Sequence, residues 1–303
     1  MNDSTHVLVI DGGGTKTAAA LWTTAGERLA SCRAGPANLY RKPAAGLAAI
    51  THAWLELCAA AGVAPEAIAG STVISAGLAG VSGAPQRRAF AAAFPGFAAR
   101  RLSNDGYTAF LGVFATDPGA LLSIGTGIVA YGSAPGEAPK VRSGWGFPVA
   151  DRGSGAWLGF RLATEYLDRL DGAAAVPEST LWQTAAATVG TEREAILAWL
   201  KDAPAASFAA MAPAVVAAAG TGDPLGVSLL DEGATHLLRL ARALKPGNSA
   251  PLCLGGGLAP VYRPYFEAVF GDVLLPATQQ TDPLHGAWLI ATGRVPAEYP
   301  DVI

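Results

Sequence analysis

A strand, a glycine-rich turn and a second strand occur at two distant places in this chain of 303 residues. The β-branched run at residues 7–10 leads into Asp11, three glycines and a strand at 18–22. Residues 120–124 lead into Gly125-Thr126-Gly127 and a partner strand at 128–131. Glycine permits positive φ and close backbone approach, so such turns can direct consecutive N–H groups at an anion. The repeat predicts two related halves whose turns hold a polyphosphate between them.

Helical and strand periodicities between these motifs alternate, which predicts an α/β fold. We place the domain boundary near Pro118, giving an N-terminal domain at 1–117 and a C-terminal domain at 118–303. The predicted helices are 46–62, 85–94, 107–114, most of 154–244, 262–270 and 283–292, and the further predicted strands are 28–32, 72–75, 101–103, 252–254 and 273–275.

Composition excludes several classes of protein. The chain is 51% apolar and 15% charged, which is typical of a packed globular protein. Its net charge of -3 comes with no cluster of Lys or Arg, so we expect no nucleic-acid partner. We expect neither a signal peptide nor a membrane span. Cys32, Cys58 and Cys253 have no metal-binding spacing, and they indicate a reducing, cytoplasmic compartment.

The first glycine turn concentrates groups that suit Mg²⁺ and phosphate. Asp11 can position a hydrated Mg²⁺, because this ion prefers few carboxylates and retains water. The turn supplies backbone donors, hydroxyls and an ammonium for phosphate, from Gly12, Gly13, Gly14, Thr15, Lys16 and Thr17. A tight hairpin with incidental polar residues is the alternative.

Four further features have two interpretations each. Gly125-Thr126-Gly127 alone could be an ordinary turn, but its similarity to the first glycine turn favours a second phosphate-binding turn. Gly255, Gly256 and Gly257 can lie against a flat ligand such as adenine, or form an ordinary strand-to-helix turn. Asp105 is a reactive carboxylate or a helix N-cap. Trp145 stacks on a sugar face or belongs to the core.

Taken in order, the motifs closely resemble the N-acetylglucosamine kinase and BadF-type ATPase family, within the actin, sugar-kinase and Hsp70 superfamily. The resemblance implies a two-domain, actin-like ATPase (ribonuclease H-like) fold with an interdomain cleft. It covers nearly the whole chain and is carried by residues 11–17, 34–38, 75–80, 103–106, 123–127, 144–146, 151–155 and 254–258.

The same resemblance implies ATP and Mg²⁺ as cofactors and transfer of phosphate to the 6-hydroxyl of glucosamine or N-acetylglucosamine, in amino-sugar catabolism or cell-wall sugar salvage. Asp105 would be the catalytic base, the two glycine turns the phosphate loops, and 255–257 the adenosine loop. A homodimer is also implied. The sugar would contact Asn38, Gly77, Asn104, Asp105, Trp145, Gly146 and Asp151.

Two other functions compete with the kinase. The family's other branch energises dehydratases through an iron-sulfur cluster, but the corresponding loop at 151–154 has no cysteine. A sugar-responsive regulator would bind without turnover, but we find no DNA-binding element. Arg152 stands where eukaryotic members resemble Gly-Asp-Glu, which leaves recognition of the sugar 2-position open.

Overall fold

The computed structural model describes residues 5–14, 16–40, 42–81, 83–245, 247, 249–279 and 281–299. The chain forms two compact units, one from residues within 1–117 and 280–303 and the other from residues within 118–279. The sequence predicts a C-terminal domain at 118–303, which includes residues 280–303. In the structure the helix of this segment packs against a strand and a helix of the first unit, so the last residues belong to that unit.

The first unit contains a mixed five-stranded sheet with the order β3-β2-β1-β4-β5. β1, β4 and β5 are parallel, whereas β2 pairs antiparallel with both β1 and β3. Its strands are β1 (His6–Gly12), β2 (Thr17–Thr23), β3 (Arg28–Ala34), β4 (Thr72–Leu78) and β5 (Ala99–Asn104). Its helices are α1 (Pro43–Ala61), α2 (Pro65–Ile68), α3 (Ala84–Ala93), α4 (Asp105–Phe114) and the last helix of the chain, Pro283–Ala291.

Helices cover both faces of this sheet, and residues 7–10 of its central strand β1 are all apolar. Leu8 and Ile10 of β1 pack in one core cluster with Ile50 and Leu57 of α1. The last helix and α4 lie against each other, and the last helix also contacts β1 and β4. Residues 7–10 of β1 are completely buried, as expected for a strand covered on both faces.

The second unit contains a four-stranded sheet with the order β8-β7-β6-β9 and a larger set of helices. β6 pairs antiparallel with β7 and parallel with β9. Its strands are β6 (Gly119–Ile124), β7 (Ile128–Ser133), β8 (Lys140–Val141) and β9 (Leu252–Gly255). Its helices are α5 (Gly155–Leu170), α6 (Thr180–Val189), α7 (Arg193–Asp202), α8 (Ala205–Ala209), α9 (Ala212–Gly220), α10 (Pro224–Leu244) and α11 (Ala259–Phe270), so the last helix of the chain is α12.

The α/β class is confirmed, and one predicted strand is wrong. Residues 273–275 do not form a strand: a 3-10 turn occupies Gly271–Val273, and Leu274 makes a single bridge to Leu252. The chain passes the sheet edge too briefly for a hydrogen-bonded ladder. The apolar run alone did not reveal this.

Within the described part of the chain, α1 is long and apolar enough to cross a membrane. Helix α7 and the stretch Ala205–Gly220 meet the same criterion only if they are counted together as one span with a 119° bend. Length and composition are weak indicators, because core helices of soluble proteins meet the same criterion. Ile50, Trp54 and Leu57 of α1 pack in the core of the first unit. The structure therefore accounts for the apolar face of α1 through packing.

Candidate functional site

The carboxyl ends of β1, β4 and β5 align in the first unit. Asp11 pairs in register with Gly77, and Gly77 pairs with Ser103. Asp105 follows β5 as the first residue of α4. Parallel strands thus bring Asp11 and Asp105 to one edge of the sheet, close enough for the charge of Asp105 to affect Asp11. Ligands commonly bind at this edge of an α/β sheet.

The carboxyl group of Asp11 lies in a strongly negative environment. Burial raises its pKa to about 7, with a further rise from the charge of Asp105, a decrease from Lys16 and a rise from Asp282. The negative charges of Asp105 and Asp282 are the part of this shift that would stabilise a bound cation, whereas burial disfavours any uncompensated charge. In the described residues, no three or more His, Cys, Asp or Glu side chains form a metal-binding group. One protein carboxylate, such as that of Asp11, is compatible with Mg²⁺ that keeps water ligands.

Asp105 is partly buried at the N-terminus of α4, next to the N-cap. The side chain of Asn104 occupies the cap position, and its Oδ1 accepts the Gly106 N–H at 2.9 Å. Oδ1 of Asp105 accepts the same N–H at 2.9 Å. Burial raises the pKa of Asp105, and bonds from the backbone N–H groups of Gly106 and Asp105 lower it. Asn104, and not Asp105, is thus the N-cap of α4, and Asp105 is a carboxylate in the first turn of the helix.

The first glycine turn is fastened to two neighbouring loops through its carbonyl groups. The Gly12 carbonyl accepts the Ala79 N–H at 2.8 Å, and the Gly13 carbonyl accepts the Ala37 N–H at 3.1 Å. A Cβ atom on Gly12 would lie 2.5 Å from Cδ2 of Leu78 and 2.9 Å from Cβ of Ala37, so a larger residue here would force its neighbours to shift. Gly14 is exposed with no neighbouring atom within 4 Å of such a Cβ. The open side of the turn is therefore at Gly14.

The predicted phosphate ligands of this turn have different surroundings. Lys16 is exposed, two residues after Gly14 in the sequence, and its charge affects Asp11. Thr17 is completely buried, and its hydroxyl donates to the Gly35 carbonyl at 2.7 Å. The structure thus gives Thr17 a role in packing β2, which the sequence alone did not indicate. Thr15 lies outside the described residues.

Asn38 follows Ala37, which bonds to the first turn, and Gly77 lies on β4 opposite Asp11. Oδ1 of Asn38 accepts the Tyr40 N–H at 3.0 Å, and the Leu39 N–H donates to the Ala79 carbonyl at 3.2 Å. Gly77 is buried, and a Cβ atom there would collide with the side chain of Thr108. Gly77 therefore lets α4 approach β4; a contact of its backbone with sugar stays a prediction.

In the second unit, the carbonyls of the second glycine turn also accept hydrogen bonds from other parts of the chain. The Gly125 and Thr126 carbonyls accept the N–H groups of Gly155 and Ala156 at the start of α5, at 2.8 and 3.0 Å. The Ile124 carbonyl accepts the Leu258 N–H at 3.0 Å, just before α11. The turn therefore joins the start of α5 to the third glycine run.

Asp151 lies directly against this second turn. It is buried with a φ of +63°, and a Cβ on Gly127 would lie 2.7 Å from its Oδ2. Burial raises the pKa of Asp151, and a hydrogen bond from the Ile128 N–H lowers it. Its Oδ1 is buried, and none of the described residues donates a hydrogen bond to it. A buried carboxylate oxygen normally has a donor, so Oδ1 is suited to a ligand hydroxyl or amine.

The third glycine run combines packing with an open position. Gly256 has a φ of +83°, and a Cβ there would lie 2.6 Å from the carbonyl carbon of Ile124. Gly255 is buried, whereas Gly257 is exposed and has no neighbouring atom within 4 Å of a Cβ. The turn alternative accounts for Gly256, and Gly257 is the residue with room for a ligand.

Trp145 does not belong to the core. Its side chain is 89% exposed, so the core alternative is wrong. Gly144 and Gly146 flank it with φ of +103° and +89°. The indole therefore faces solvent, on a loop whose positive φ angles at Gly144 and Gly146 are easily adopted by glycine.

Two acidic residues near Asp105 and Asp11 were missed. Asp282 caps α12, where its Oδ1 accepts the His285 N–H at 3.0 Å, and its charge acts on Asp11. An Asp-Pro pair before an apolar run could have indicated the cap. Glu298 accepts the Asn104 N–H at 2.7 Å. No sequence pattern joins residues this far apart.

Comparison with solved structures places this geometry in the sugar-kinase fold. A candidate N-acetylglucosamine kinase from Chromobacterium violaceum superposes with a TM-score of 0.85 and 32% identity, over 95% of this chain and 99% of that one. A glucokinase of the ROK family from Streptomyces griseus, crystallised with glucose and AMPPNP, is 16% identical with a TM-score of 0.51 over 95% of this chain and 98% of its own, which shows the fold alone. The predicted actin-like, sugar-kinase fold is confirmed.

Sequence comparison identifies the family. The model of the BadF/BadG/BcrA/BcrD ATPase family matches residues 8–291. The chain is also 30% identical to glucosamine kinase GspK of Vibrio cholerae over 296 residues, 94% of this chain and 95% of the relative. This chain belongs to the BadF/BadG/BcrA/BcrD ATPase family, and the predicted resemblance is confirmed.

Proposed function

We propose that this protein is an ATP-dependent kinase that phosphorylates the 6-hydroxyl of an amino sugar, glucosamine or N-acetylglucosamine. The observation that carries the proposal is the pair of Asp105 and Asp11 at one sheet edge, beside a glycine turn with an exposed lysine. Phosphoryl transfer needs these parts: a proton acceptor for the hydroxyl, a carboxylate for Mg²⁺ and donors for phosphate. The amino-sugar class comes from the named relatives.

ATP and Mg²⁺ are the proposed cofactors. Asp11 would hold the hydrated metal, which neutralises phosphate charge when bound. The open positions of the glycine turns are the proposed contacts for phosphate and adenosine: Gly14 and Lys16 in the first unit, and Thr126 and Gly257 in the second. The remaining glycines, Gly12 and Gly256 among them, shape these turns by allowing close approach.

Asp105 is the proposed catalytic base. The helix N-terminus and the Gly106 N–H keep a carboxylate available there, while burial strengthens its attraction for a proton. These opposing effects suit a group that must receive a proton from a sugar hydroxyl and later release it. Asn104, Asn38 and Asp151 are the proposed sugar contacts, with Trp145 as the stacking residue.

Location and assembly stay proposals as well. Cys32, Cys58 and Cys253 are free thiols, as expected in a reducing cytoplasm. A homodimer is proposed from the family resemblance, with the sugar and ATP as small-molecule ligands.

The substitution Asp105→Asn tests the proposal, with Asp223→Asn as a matched control. Asp223 caps α10 through its Oδ1, which accepts the Gly226 N–H at 2.9 Å, so it is likewise an aspartate at a helix N-terminus that accepts a backbone N–H, but it has no proposed chemical role. Asp105→Asn should lower kcat by about 10²-fold or more, because a general base contributes that much, and it should keep ATP binding. Asp223→Asn should retain full turnover. Normal turnover by Asp105→Asn would show that Asp105 is not the base.

A further inference from the structure

After α12 the chain turns back along the first unit. Gly293, with a φ of +70°, ends the helix, and the N–H groups of Gly293 and Arg294 donate to the carbonyls of Ile290 and Leu289 at 3.1 and 3.0 Å. Val295 is buried. The following residues to Tyr299 then contact the elements that carry Asp105. We call residues 295–299 the return segment.

The return segment contacts three parts of the first unit. The Tyr107 hydroxyl of α4 donates to the Pro296 carbonyl at 3.1 Å. The Tyr299 hydroxyl donates to the Val81 carbonyl at 3.4 Å, after β4, and the guanidinium of Arg87 lies 4.9 Å from the Tyr299 ring centre. These contacts fix the segment on both sides of Glu298.

Glu298 makes the contact closest to the proposed base. Its Oε2 accepts the backbone N–H of Asn104 at 2.7 Å, in a partly buried setting. Hydrogen bonds to a charged acceptor are shorter and stronger than neutral ones, and this length is typical of them. The bond fixes the peptide between Ser103 and Asn104, from which the backbone leads directly to Asp105.

The charge of Glu298 also affects the pKa of two neighbouring tyrosines. Burial, followed by the Glu298 charge, raises the pKa of Tyr107 to about 12. Burial and then Glu298 likewise raise the pKa of Tyr299 to about 12, against a smaller opposite effect of Arg87. The carboxylate thus lies near the hydroxyls of the two tyrosines that hold the return segment.

We propose that Glu298 is a positioning residue that holds Asn104 and, through it, orients the carboxylate of Asp105. This inference rests on the proposed kinase function, in which Asp105 accepts the hydroxyl proton. The side chain of Asn104 caps α4, so a shift of its backbone would move both the cap and the base. Misplacement by about 1 Å costs roughly 10²-fold in rate when groups must align for reaction.

Three substitutions and steady-state kinetics test this role. Glu298→Ala removes the acceptor and should lower kcat by about 10- to 100-fold, with KM for ATP little changed. Glu298→Gln keeps an amide oxygen at the same reach and should recover most of kcat. Glu267→Ala is the control, since this carboxylate of α11 pairs with Arg263 at 3.4 Å in the other unit and should leave kcat unchanged.

Normal kcat in Glu298→Ala, or an equal loss in Glu298→Ala and Glu298→Gln, would overturn the proposal. If Glu298→Ala does not fold, Glu298→Asp replaces it, because the shorter side chain keeps the charge and should lose the bond and kcat alike. If the wild-type protein turns over no sugar at all, the kinase proposal itself fails. Hydrogen exchange at residues 104–106 then decides: faster exchange in Glu298→Ala than in Glu298→Gln supports positioning, and unchanged exchange refutes it.

Discussion

Gly256→Ala should destabilise the second unit more than a glycine replacement of the same backbone conformation in open space. Gly256 and Gly136 both have positive φ, +83° and +75°. Alanine in that region costs about 1–2 kcal/mol at either position. At Gly256 the added Cβ would also lie 2.6 Å from the carbonyl carbon of Ile124, whereas a Cβ on Gly136 would meet no described atom within 4 Å beyond its chain neighbours. Backbone cannot rotate away, so Gly256→Ala carries an additional overpacking cost of about 1–3 kcal/mol.

Thermal unfolding followed by circular dichroism measures the difference. Each kcal/mol shifts the Tm of a domain of this size by about 2–4 °C, so Gly256→Ala should melt roughly 5 °C below Gly136→Ala. Comparing two variants cancels the shared cost of positive φ. Equal Tm values would refute the reasoning, because the close approach of Gly256 to Ile124 would then contribute nothing to the requirement for glycine.

Two further predictions concern the loop after β8. Trp145→Ala should leave Tm unchanged, since the side chain is 89% exposed, and should raise KM for the sugar; an unchanged KM would refute stacking. Arg152→Ala should raise the pKa of His236, followed by NMR titration, because burial and then the charge of Arg152 lower it. Below about pH 6.5, His236 binds a proton more readily in the unfolded chain than in the folded state, so its lowered pKa destabilises the folded state. Because Arg152→Ala raises this pKa, the variant should lose less stability than the wild type as the pH falls below that value. A pKa unchanged by Arg152→Ala would contradict the charge effect.

Local patterns predicted the elements whose residues interact with near neighbours in sequence. The β-branched run at 7–10 and the glycines after it predicted β1 and its turn, because strand propensity and positive φ are local properties. The same holds for the second turn at 125–127. Both turns fall where the sequence analysis placed them, and their carbonyls are held by distant N–H groups that no local pattern reveals.

Long-range packing decided what the sequence could not show. Thr17 and Gly77 belong to motifs that suggest ligands, but Thr17 donates to Gly35 and Gly77 makes room for Thr108. The sequence of a motif does not distinguish a glycine or hydroxyl that serves packing from one that binds a ligand. Likewise, α12 was predicted as a helix, but its place beside α4 depends on the close approach of Gly112 to the backbone of Asp282.

The most direct test of the account is ADP formation by the wild-type protein with Mg²⁺ and ATP, measured with glucosamine, N-acetylglucosamine, N-acetylmannosamine, glucose and no sugar, with mass detection of the product. The account predicts ADP formation that depends on an amino sugar and yields its phosphate ester. Hydrolysis of ATP at the same rate without sugar would instead favour an ATPase that energises a partner. Sugar binding with no turnover would favour a regulator, and either result would contradict the kinase.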